Sequence, residues 1–252
     1  MNDSLLWVQT AMLAAVRLTL GLAMTPLFTA FGVPMLARLV LTFCLAGLAA
    51  SVAMPSMASQ AQFTAGYLIP AIANELALGL LLSMGVHAAF AAFTVAGRLV
   101  DAQMGFTLGA VLDPVSKGHA AVIASGMNML AVVLFFVSDA HHWLLAGIFR
   151  TFELLPVGQA LSVEGWLPVA IGTGAMFSIG FVLASPVVIA LLLADVVVAV
   201  ISRNLPQMNV MFLSIPLKVL LGMAVMGVAV RVMGPAAQKA LTLPISLLDK
   251  VQ

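Results

Sequence analysis

Four stretches of this chain contain no Asp, Glu, Lys or Arg over lengths that would cross a membrane: Leu39 to Asn74, Leu76 to Gly97, Gly118 to Ser138 and Gly165 to Ala194. A spanning helix needs roughly 20 mainly apolar residues, and each run supplies them. Two weaker apolar segments lie at the ends, one from about Leu5 to Phe31 around Arg17 and one from Leu213 to Met233 around Lys218, which makes six. Charged residues fill only 8% of 252 positions and hydrophobic ones 63%, whereas a soluble domain is about 25% charged. The expected fold is all-α, a polytopic membrane-type helical protein.

The start MND has no basic region, and Arg17 follows the first apolar stretch, so a cleaved signal peptide is not expected. A net charge of +1 gives no nucleic-acid footprint, and the single Cys44, inside an apolar run, excludes an intrachain disulfide framework and reads as small core packing. Basic residues are scattered singly, as at Arg38, Arg98, Lys117, Arg150 and Arg203, so the positive-inside rule fixes no orientation. Pro26, Pro186 and Pro216 fall within or beside apolar runs. Each removes a helix hydrogen bond, so kinked and broken helices are expected, with the freed groups satisfied by neighbouring protein or water. Small residues four apart, at Ala88, Ala92 and Ala96 and at Ala170, Gly174 and Ser178, have the spacing of close helix contacts.

Candidate chemistry is sparse. Asp139, His141, His142 and Glu153 are metal-ligand types, but adjacent helical histidines point about 100° apart and no His-x3-His pair exists. With Trp143 they read better as a membrane boundary. Ser125 and Ser185 lie in no nucleophile elbow. Arg17, Glu75, Asp195 and Lys218 sit inside apolar segments, where an ionisable group is costly and therefore informative. They form either a relay or pairs, within the chain or with partners; no matching acidic positions in two halves favour a relay. His87 is a lone polar group, and the sixteen methionines read mainly as adaptable filler. The stretch GFTLGAVLDP, Gly105 to Pro114, stands apart. Its glycines permit unusual backbone, and Asp113-Pro114 ends any preceding helix.

Several segments, taken in order, match one pattern. They are Arg17, Pro26, Val33-Pro34 and Arg38; Ala96-Gly97, Gln103-Met104-Gly105 and Asp113-Pro114; Leu134-Phe135-Phe136 and His141-His142-Trp143-Leu144; Phe152 and Pro156-Val157-Gly158; Ala184-Ser185-Pro186; and Arg203, Pro206-Gln207-Met208-Asn209 and Pro216-Leu217-Lys218. Together they resemble the FliR family, the R subunit of the flagellar type III export gate, over nearly the whole chain. The T subunit of nonflagellar injectisomes shares much of this pattern.

The resemblance implies a non-enzymatic, cofactor-free pore subunit in the bacterial inner membrane, within the flagellar basal body. One such subunit would assemble with five P and four Q subunits, near the B and A subunits of the apparatus, and help conduct unfolded flagellar proteins. Residues 1–164 would be P-like and 165–252 a Q-like helical hairpin. Gly105 to about His119 would be the pore plug, carried by Gly105, Phe106, Leu108, Gly109, Leu112, Asp113 and Pro114. Arg203, Pro206, Gln207, Met208 and Asn209 would form a cytoplasmic loop meeting the B subunit. A secondary transporter coupled through Glu75 and Asp195 is the alternative from another class.

Overall fold

The structure, a computed structural model, describes residues 2–57, 65–106, 121–159, 167, 171–204 and 210–248. Among the described residues all regular structure is helical. Helix α1 (Asn2–Leu18) runs into a π-helical turn, Thr19–Ala23, followed by the short α2 (Pro26–Ala30) and by α3 (Met35–Met57). Then come α4 (Ala65–Met104), α5 (Val122–Val137), α6 (Ala140–Leu154), α7 (Ala175–Asn204), α8 (Val210–Val232) and α9 (Gly234–Leu248).

The prolines behave in two ways. Pro26 breaks the chain: Thr25 is extended, with ψ 153°, and Pro26 opens α2 at a position where its missing N–H is not needed. Pro70, Pro186 and Pro216 instead lie inside α4, α7 and α8, which continue through them. A local hydroxyl serves at Pro186 and at Pro26. Proline at position i leaves the carbonyl at i−4 without its usual donor, and the Ser185 hydroxyl donates to the Val182 carbonyl at 2.8 Å, the one Pro186 abandons. Before Pro26 the Leu22 carbonyl accepts from both the Thr25 N–H, at 3.0 Å, and the Thr25 hydroxyl, at 2.6 Å. The remedy is the one expected where no water substitutes for a lost backbone bond.

Glu75 ends an uncharged run in the sequence yet does not separate two helices, because it lies well inside α4. That helix has 40 residues, about 60 Å at 1.5 Å per residue, twice the hydrocarbon thickness of a bilayer. By length and composition four helices suffice to cross a membrane, within Leu6–Ala23, Leu68–Met104, Ile171–Asn204 and Ser214–Arg231. The α5–α6 pair, bent by 74°, would make a fifth, and Met35–Ser51 is a shorter apolar helix.

Two compact units form. The first comprises Met1–Ala89, Phe135–Gly174 and Thr242–Gln252. Here α1 packs along α3, and Gly79 lets α4 press against the end of α1: a Cβ there would lie 2.8 Å from the Arg17 carbonyl oxygen and from Leu20 Cβ. Cys44 is exposed on α3 rather than in the core.

The second unit comprises Phe90–Leu134 and Ala175–Leu241. There α7 and α8 pair as a hairpin. Ala92 and Ala96 are fully buried, and a Cβ on Gly180 would come 2.9 Å from the Ala92 carbonyl oxygen, so this small-residue face receives α7. Gly174 and Ser178, from the other small-residue series, are exposed, and Ala170 lies outside the described residues.

Candidate functional site

The most developed polar site is built on Arg17, in the last turn of α1, and Glu75 on α4, both fully buried. The guanidinium and carboxylate meet as a fork, Nε to Oε2 at 2.7 Å and Nη2 to Oε1 at 2.9 Å. Nη1 also donates to the Thr151 carbonyl (3.2 Å) and hydroxyl (3.3 Å), and Nη2 to the Leu155 carbonyl (3.1 Å). All five guanidinium N–H groups therefore have acceptors. Leu155 is the C-cap of α6, so through it the cation also answers a carbonyl that a helix C-terminus leaves open. The Phe152 ring lies 4.3 Å below Arg17 Cζ, a cation–π contact.

Glu75 is equally committed. Its Oε1 accepts a further bond from the Gly158 N–H at 2.8 Å, and Gly158 holds φ 86°, a conformation open to glycine at little cost. The pairing of Arg17 with Glu75 within the chain ties α1, α4, the end of α6 and the turn beyond it. Arg38 plays a smaller related role, donating to the carbonyls of Val33 (2.9 Å), Phe28 (3.2 Å) and Ala23 (3.4 Å) beside α2. Lys218 on α8 pairs with Asp195 on α7, both partly exposed.

The expected loops are only partly visible. Gly105 turns the chain at the end of α4 with φ 85°, and both it and Phe106 are half-buried. Leu108, Gly109, Leu112, Asp113 and Pro114 lie outside the described residues, as do Pro206, Gln207, Met208 and Asn209, whereas Arg203 is exposed in the last turn of α7. Met104, at the end of α4, is buried against Gly222 of α8, where a Cβ would collide with its side chain.

Asp139 makes the corner between α5 and α6, in the left-handed conformation with φ 53°. The histidine rings do not diverge: their centroids are 4.0 Å apart, and His141 also leans on Phe136 at 5.2 Å. Side-chain torsion in the first turn of α6 thus overrides the angular step between adjacent Cα–Cβ bonds. Ligand atoms of Asp139, His141 and His142 lie within 4.8 Å of one another. The corner is solvated, with Asp139 and His142 about 70% exposed, and it sits at the positive end of α6, which opposes a cation. Glu153, at the far end of α6, does not join it. His87 bonds within its own helix, to the Ser83 carbonyl at 2.8 Å.

One polar residue carries no signal in the sequence. Asp101, on α4, is 1% exposed and accepts the N–H groups of Ile123 and Ala124, both at 3.0 Å. It lies in a polar interval, and its partners are main-chain groups more than twenty residues away, so no local motif announces it.

Residues 8–243 match the family described as bacterial export proteins, family 1. The chain is 31% identical over 214 residues to the flagellar biosynthetic protein FliR of Bacillus subtilis (strain 168), covering 82% of this chain and 81% of that protein. It is 29% identical over 163 residues to FliR of Escherichia coli (strain K12), covering 64% of this chain and 62% of that one. The surface presentation of antigens protein SpaR of Shigella sonnei is 32% identical over 148 residues, 59% of this chain and 57% of that protein. A match over most of the chain, together with these relatives, shows that it belongs to the bacterial export protein family 1, the family of FliR.

Proposed function

We propose that this chain is the R-type subunit of a flagellar type III protein export gate in the bacterial inner membrane, a structural and pore-forming component that helps conduct unfolded flagellar proteins. The observation that carries this reading is the family match over residues 8–243. The helices support it. Only 22% of the apolar window of α7 and 11% of that of α8 is buried within the chain, so both helices need further apolar neighbours. P and Q subunits, in the stoichiometry the resemblance implies, would supply them for the P-like residues 1–164 and the Q-like hairpin 165–252. An α4 of about twice the bilayer thickness suits a helix embedded in such an assembly. The stretch from Gly105 to about His119 would close the pore, and Arg203 with Pro206 to Asn209 would meet the B subunit on the cytoplasmic side.

The test is secretion. Deleting the gene should abolish flagellin in the medium while flagellin persists inside the cell, and the wild-type chain supplied in trans should restore it. Normal secretion without the gene contradicts the proposal. The match to SpaR favours one second reading, the nonflagellar counterpart, in which deletion would stop export of effector proteins and leave motility intact.

A further inference from the structure

The corner between α5 and α6 brings together an aspartate that does not cap its helix and a histidine nitrogen that has no partner. Asp139 holds the N-cap position of α6, where an Asp ordinarily accepts the N–H of the second or third helical residue, yet its carboxylate makes no capping bond. It approaches the His142 ring instead, Oδ1 to Nδ1 at 3.6 Å, too long for a hydrogen bond. His141 packs on Phe136, ring centroids 5.2 Å apart, and on His142, 4.0 Å apart. Its Nδ1 is shut off from water without a hydrogen-bond partner, which is costly for a group able to make one.

These spacings are close to those of coordination. Ligands sharing one tetrahedral ion at roughly 2.0–2.2 Å stand about 3.3–3.6 Å from one another, the separation of Asp139 and His142. All three ligand atoms already fall within 4.8 Å of one another, so closing the set takes roughly 1 Å of side-chain motion. Asp139 and His142, both exposed, are free to supply it. Two imidazoles and a carboxylate suit zinc, nickel or copper better than magnesium or calcium, which take all-oxygen sets. The start of α6 carries partial positive charge, and the Asp139 carboxylate offsets it. With three protein ligands and water in the remaining positions, such a site is open and its ion exchangeable.

We propose that Asp139, His141 and His142 bind one divalent transition-metal ion of the zinc type, which ties the corner residue to the first turn of α6. Bound there, the ion would give His141 the partner it lacks and Asp139 the bond it does not make to its helix. The site stands whether or not the chain is an export-gate subunit.

The experiment is equilibrium dialysis against Zn²⁺ of the full chain, purified with the subunits that accompany it through an affinity tag free of histidine. Four forms are compared: wild type, His142→Ala, Asp139→Asn and, as a control on α4, His87→Gln. Asn suits the left-handed backbone at position 139 as Asp does, and both substituted side chains of the corner are exposed, so the fold should survive. Wild type and His87→Gln should bind one ion per chain at this site, and His142→Ala and Asp139→Asn should bind it at least about tenfold more weakly, as loss of a ligand costs no less than loss of a group behind one. Equal zinc content in wild type and His142→Ala overturns the site, because the ion is then held elsewhere, and a wild type that retains none overturns it too. Unchanged affinity in Asp139→Asn overturns the three-ligand set. A His87→Gln form weakened as much as His142→Ala overturns it as well, by tracing the loss to the fold and not to a ligand. If His142→Ala does not accumulate, Asp139→Asn decides in its place.

Discussion

Arg17 donates five hydrogen bonds inside an apolar body, and its worth lies in that completeness. Removing one partner of a buried pair strands the other charge, a loss of about 3–5 kcal/mol, whereas replacing both with apolar residues of similar volume costs far less. We predict that Arg17→Met and Glu75→Leu each lower the gate's resistance to denaturant by roughly that amount, and that the double substitution loses less than either alone. Additive losses would argue against a mutual pair. Gly79 offers a second check. A Cβ at 2.8 Å from the Arg17 carbonyl oxygen has only backbone and a neighbouring Cβ to push on, so Gly79→Ala should cost roughly 1–3 kcal/mol of overpacking, read in the same denaturation series. Arg17 and Glu75 stand out in the sequence because a charge in an apolar run demands an explanation. Their partners Thr151 and Leu155 do not, since each contributes main-chain atoms, alone or beside a hydroxyl, that any residue type could place there, and Gly158, whose φ of 86° suits glycine, stands in a motif that says nothing of its N–H bond to Glu75.

At the scale of a helix, the Ser-Pro pair in α7 makes a sharper prediction than either residue alone. Ser185→Ala leaves the Val182 carbonyl without its donor, at a cost of about 0.6 kcal/mol and at most about 1.7 for such bonds in membrane proteins. In a Pro186→Ala background residue 186 regains its own N–H, and the same substitution should then cost almost nothing. An equal cost in both backgrounds, measured by a double-mutant cycle, would show that the hydroxyl acts elsewhere. Helix content was legible from the uncharged runs, but helix boundaries were not. Glu75 closes a run in the sequence and sits mid-helix in the fold, because pairing with Arg17 removes the reason to leave the apolar interior. The proline positions are ambiguous in the sequence for a related reason. A hydroxyl reaches the carbonyl four residues back at both Pro26 and Pro186, so the break at the first and the continuity at the second rest on the backbone before each proline, extended at Thr25 and helical at Ser185.

At the scale of the molecule, the apolar faces of α7 and α8 remain largely uncovered within the chain, while α4 is buried over 67% of its apolar window. Exposed residues such as Phe177, Phe181, Leu193 and Val196 on α7 then need lipid or neighbouring subunits. Composition alone shows that a membrane protein is present and leaves these two occupants undistinguished. The order of motifs from Arg17 to Lys218 points to the family, and the neighbours proposed above follow from that reading. The most direct measurement is native mass spectrometry of the tagged chain co-expressed with the small membrane proteins expected as its P and Q partners. The expected result is a hetero-oligomer holding one copy of this chain among several copies of each partner. A lone chain or a homodimer, stable and free of both partners, would contradict the export-gate assignment.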